Sequence, residues 1–103
     1  MEKLIKDGNV AVVYSYDYGA GWSTWGSDNS EELCTRKEIA EFVLADDYVG
    51  LEKFMDENYP DVYLGGMKNL SIQWVPLGCL FRINEYDGSE SVEVFSGQNY
   101  YKA

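Results

Sequence analysis

The stretch that decides the fold is Cys79–Phe95, CLFRINEYDGSESVEVF. Two runs rich in β-branched and aromatic residues flank Asp87-Gly88, a pair suited to a two-residue type I′ turn, in which both central residues need positive φ. Taking Asp87 and Gly88 as the turn fixes the register. Ile83 then pairs with Val92, and Phe81 with Val94, on one face. Arg82 meets Glu93 on the other face as an opposite-charge pair. Glu85 and Glu90 fall opposite each other with Asp87 between them in the turn. This is a like-charge cluster that either sits in water at a mobile tip or collects a hard cation through oxygen. Its spacing matches no calcium loop.

Working outward, Lys3–Lys6, Asp7-Gly8 and Asn9–Ser15 read as a second hairpin. Val10, Val12 and Tyr14 occupy one face of the longer strand, and Ala11 and Val13 the other. Such a strand belongs in the middle of a sheet. Leu70–Val75 is a further strand, with Leu70, Ile72 and Trp74 on one side, ended by Pro76-Leu77-Gly78. Tyr63-Leu64-Gly65-Gly66 reads as a turn. Thr35 and Glu38 have capping-box spacing ahead of the apolar stripe Ile39, Phe42 and Val43. Asp46 or Asp47 caps a second helix, whose Leu51, Phe54, Met55 and Tyr59 keep helical spacing until Pro60 stops it. The reading is a single α+β domain over 1–103: an antiparallel sheet of about five strands with two short helices packed on one face.

The chain has 103 residues and a net charge of −10, with 46% hydrophobic residues, which suits one domain with one core. The charge is uneven. From Asp28 to Asp61 there are eleven acids against Arg36, Lys37 and Lys53, a net of −8. This balance disfavours direct contact with nucleic acid or an anionic membrane and attracts basic partners. No apolar run approaches the ~20 residues of a membrane span. Met1–Lys6 is too short and charged for a secretion signal, so the expected location is cytoplasmic. Cys34 and Cys79 lie in no motif and read as two reduced thiols. Histidine is absent, which removes the commonest general base and metal ligand. No residue pattern places another base beside a nucleophile, so the expectation is a non-enzyme with no cofactor or metal.

Two segments stand out as binding surfaces. The first is the loop Tyr16–Ser30, YDYGAGWSTWGSDNS, long for a small domain. Its glycines fit no phosphate-loop motif. Tyr18, Trp22 and Trp25 are its candidate contact residues, since tyrosine and tryptophan dominate interfaces; the alternative is that the tryptophans cap the core edge. The second is the acidic helical segment, with Glu38, Glu41, Glu52 and Asp56 as its candidates; the alternative is a solvated polar face with no partner. Glu52 and Asp56 are like charges at i, i+4, an arrangement that does not help the helix.

Gly19–Trp25, Tyr59–Gly66, Ile72–Pro76, Gly78 and Phe81–Glu90 together resemble a family of small uncharacterised proteins encoded by tailed bacteriophages and prophages. The resemblance implies a phage or prophage accessory protein. No catalytic or binding residue comes with it. The resulting expectation is a protein that binds a basic-surfaced host protein in the cytoplasm of the host cell, as inhibitor or trigger of a defence system, with DNA mimicry as one version. The alternatives are a binder of a nucleotide signal at the Gly/Trp loop and a minor virion or assembly protein. Exposed aromatics also give the chain a means of homo-oligomerisation.

Overall fold

The computed structural model describes residues 1–62 and 65–95, so the turn expected over 63–66 lies partly outside the described residues. Among these residues, five antiparallel strands and three α-helices run in the order β1 (Ile5–Lys6), β2 (Asn9–Ser15), α1 (Ser30–Thr35), α2 (Lys37–Leu44), α3 (Tyr48–Asn58), β3 (Leu70–Pro76), β4 (Leu80–Tyr86) and β5 (Ser89–Phe95). The α+β class stands. The strands, however, divide into a three-stranded sheet ordered β1-β2-β3 and a two-stranded sheet of β4 and β5.

Both Asp-Gly turns form as their chemistry demands. Asp7 and Gly8 have φ of 52° and 79°, and Asp87 and Gly88 have 48° and 88°. The second turn sets the expected register: Phe81 pairs with Val94, Arg82 with Glu93, Ile83 with Val92 and Glu85 with Glu90. Arg82 Nη2 lies 2.9 Å from Glu93, and bonds from Asn84 and Arg82 hold the Glu93 carboxyl below its ordinary range.

β2 is central, as its apolar faces require, with β1 on one side and β3 on the other. Ala11 and Val13 join Leu70, Ile72 and Trp74 in the larger core cluster beneath the helices, which contribute Leu33, Ile39, Ala40, Val43, Leu51 and Met55. Val12 and Val75 look the opposite way, where Phe81, Ile83, Val92 and Val94 of the second sheet pack with Cys34 and Cys79. The sheet of β1, β2 and β3 is therefore a shared wall, with α2 and α3 on one face, the β4–β5 hairpin on the other, and α1 reaching both clusters through Leu33 and Cys34. That is why β2 needs apolar residues on both sides.

Among the described residues there are three α-helices where two were expected, and the departure lies at one joint. Thr35 does not cap α2. It ends α1, is buried, and its hydroxyl donates back to the Glu31 carbonyl at 2.6 Å. Arg36, in extended conformation, is the N-cap residue and gives no side-chain cap; its Nε donates to Glu38 instead. The box spacing was present, but a third helix had already claimed the threonine. The joint between α2 and α3 is tight. The amide of Asp46 donates to the Val43 carbonyl and that of Asp47 to the Phe42 carbonyl. This is a Schellman closure with Asp46 in the left-handed position, at φ 52°. The Asp47 side chain then accepts from Gly50 N at 2.9 Å and starts α3.

Candidate functional site

The loop between β2 and α1 has no regular strand or α-helix, only 3-10 turns at Ser23–Trp25 and Ser27–Asn29. Its shape comes from one distant side chain. Glu90, on β5, is 2% exposed. Its Oε1 accepts from Ser15 N at 2.9 Å. Its Oε2 accepts from Trp22 N and Thr24 N, each at 2.9 Å, and from Thr24 Oγ1 at 2.5 Å. Four donors thus converge on one carboxylate, the arrangement that allows a charge to be buried. The hairpin tip holds the loop from below as well. Gly19 N donates to the Asp87 carbonyl at 2.6 Å, and Ser89 Oγ donates to the Tyr16 carbonyl at 3.1 Å. The backbone approaches Gly88 so closely that a Cβ there would lie 2.3 Å from Ala20 N.

This overturns the picture of the hairpin tip as a wet cluster of three carboxylates. Glu85 and Glu90 are paired in register, but their side chains part. Glu85 accepts from Gly88 N at 3.0 Å and stays exposed, while Glu90 turns inward. No group of three metal-ligating side chains occurs among the described residues.

Trp22 is likewise corrected as a contact residue. Its ring is 0% exposed, lies in the main core cluster, and its Nε1 donates to the Leu33 carbonyl at 2.7 Å. A ring with every face packed has no surface to offer a partner. What the loop does display is Tyr18, 68% exposed, and Trp25, 40% exposed. Tyr18 stands edge-on to Tyr86, their centroids 6.4 Å apart, and Tyr86 is 72% exposed. Tyr16 is also exposed beside Tyr18 in the chain. Nothing in the sequence alone marks Tyr86 and Tyr16 as contact residues, although Tyr16 opens the Gly/Trp loop and Tyr86 directly precedes the Asp87-Gly88 turn.

The acidic candidates fall into two groups. Glu38 and Glu41 border a groove of about 460 Å³ between α2 and α3, together with Phe42, Ala45, Asp47 and Phe54. Glu52 and Asp56 line a separate depression on α3 with Val49, Lys53 and Glu57. At one end of the first group, Arg36 is enclosed by Glu38, by the Tyr59 hydroxyl (2.7 Å from Nη1) and by the ring faces of Phe54 and Tyr59. The Glu38 and Tyr59 bonds raise the guanidinium's pKa further above its ordinary value. Tyr59 Oη in turn donates to Glu32 at 2.8 Å. Burial holds the phenol's pKa above its ordinary value.

A third hollow, about 360 Å³, lies between α1 and β4 and is lined by Ser23, Thr24, Ser30, Glu31, Cys34, Phe81 and Ile83. Burial pushes the Cys34 thiol up to about 11, so at neutral pH it is a protonated apolar group and a poor nucleophile.

No protein-family model, curated protein or solved structure matches this chain. No described helix is long and apolar enough to cross a membrane.

Proposed function

We propose that this protein is a phage or prophage accessory protein that acts by binding a basic-surfaced host protein in the cytoplasm, through its acidic helical layer. One observation carries the reading: α2 and α3 present Glu38, Glu41 and Asp47 around half-buried rings, so charge to attract and apolar surface to hold occur in one place. The resemblance to phage-encoded proteins supplies the biological setting, in which the partner belongs to a host defence system that is either blocked or triggered. A nucleotide-binding role for the Gly/Trp loop has less support. The backbone amides of Trp22 and Thr24, which a phosphate would need, already donate to Glu90, and the ring of Trp22 is buried.

The test is affinity capture from host lysate with three baits: wild type, a Glu41→Lys/Glu52→Lys/Asp56→Lys variant, and a Tyr18→Ala/Trp25→Ala variant. All five positions are exposed, and circular dichroism checks that each bait keeps its fold. A discrete partner held by wild type and lost on charge reversal supports the helical layer as the interface. Loss only in the aromatic variant moves the interface to the loop. Equal recovery on all three baits ends the reading.

A further inference from the structure

The groove between α2 and α3 has the chemistry of a receptor for a single flat cation, and we propose that it takes an arginine side chain presented by the partner. This rests on the acidic-surface reading and narrows it to one place and one group. Phe42 and Phe54 are half buried, with centroids 5.8 Å apart and planes at 51°. Phe42 is backed by Gly50, where a Cβ would come within 2.7 Å of the ring, so the ring is held from behind. Around the two rings stand Glu38, Glu41 and Asp47; among the described residues the groove's lining contains three acids and no base.

The same elements already bind one guanidinium from within. The Cζ of Arg36 lies 4.9 Å from the centroid of Phe54 and 5.7 Å from that of Tyr59. Its Nε donates to Glu38. Phe54 and Tyr59 are 6.3 Å apart, so three rings follow one another as Phe42, Phe54 and Tyr59. Arg36 occupies the Phe54–Tyr59 end. At the Phe42 end a ring and a carboxylate line the groove together again, with Glu41 exposed beside the half-buried Phe42. Glu38 borders both places. A guanidinium is planar and weakly hydrated, so it loses little on leaving water for a ring face with an acid at its edge. An ammonium is compact and strongly hydrated, and gains less there. The net charge of −10 draws such a partner in from a distance.

The experiment is an NMR titration of the isotope-labelled protein, at physiological salt, with three short peptides that differ only in carrying arginine, lysine or citrulline. The arginine peptide is expected to shift amides over residues 38–50 and in the first turns of α3. It should bind roughly five- to tenfold more tightly than the lysine peptide, and the neutral citrulline peptide should not bind. Glu41→Gln and Phe42→Leu should each weaken the arginine peptide about tenfold, while Glu52→Gln, on the separate depression of α3, should change it less than about twofold. Equal binding of arginine and lysine, or equal loss in Glu41→Gln and Glu52→Gln, would overturn the groove as a specific receptor. The broader reading would survive that result, because it is decided by charge-reversal capture of a whole partner. Absence of any shift with basic peptides also overturns the groove.

Discussion

Glu90 is one of eighteen acids in the chain, yet it is the one that shapes a surface at a distance. Glu90→Ala removes the acceptor for three backbone amides and a hydroxyl, and leaves buried donors unpaired. The expected loss is roughly 3–5 kcal/mol, read from denaturant unfolding, a large part of the total for a domain of this size. Glu90→Gln should cost less. Its carbonyl can keep the Trp22 and Thr24 bonds, but its amide then faces Ser15 N, donor against donor. Recovery of full wild-type stability in the glutamine variant would show that the charge is not needed. Cys34 gives a second expectation at this scale. Its folded pKa of about 11 lies above the ordinary 9.0, chiefly through burial. Between those values the unfolded chain loses the proton while the folded chain keeps it. The contribution is therefore full below pH 9 and falls as pH rises toward 11, by on the order of 2–3 kcal/mol. Unfolding curves at pH 8 and pH 10.5, compared with a Cys34→Ala variant, should show a steeper alkaline decline in the wild type.

Among the elements, the hairpins were the most legible because their rules are local. Asp-Gly demands positive φ at two adjacent residues, and both the turn and its register follow from that alone. The alternation that placed Val92 and Val94 inward also placed Glu90 inward, two residues earlier on the same face. That parity is the signal for a buried acid, and it outweighs the like-charge pairing with Glu85 that suggests a solvated tip. Other features were not legible, because they depend on partners far away in sequence. Nothing local says that Trp22 sinks into the core while Trp25 stays out, that Thr35 ends one helix instead of starting the next, or that five strands make two sheets. The α2–α3 joint yields a paired test. Asp46 holds a left-handed conformation that glycine adopts without strain, so Asp46→Gly should raise stability by about 0.5–1 kcal/mol. Its neighbour Asp47 caps α3, and Asp47→Ala should lower stability by about 1 kcal/mol. Thermal unfolding of the two variants should thus move in opposite directions from the wild type.

Over the whole molecule, the acids are concentrated on the helical side of a shared central sheet, and salt acts on that asymmetry in two ways. Raising ionic strength from about 0.1 M to 1 M shortens the screening length from about 10 Å to 3 Å. Repulsion among the exposed acids weakens, and the melting temperature should rise by a few degrees, equivalent to about 1 kcal/mol. Capture of a basic partner should fall over the same range. A complex indifferent to salt would place the interface away from the helices. The clamp on the loop has a further consequence, for the order of events during synthesis. Glu90 follows the residues it grips by 66 to 75 positions. A ribosome therefore releases the loop long before it makes the residue that sets it. Until β5 emerges, the amides of Ser15, Trp22 and Thr24 lack their acceptor, and the exposed rings of Tyr18 and Trp25 have no fixed platform. The ring-bearing surface is then the last part of the protein to mature, and a nascent chain halted before residue 90 carries the helices without it.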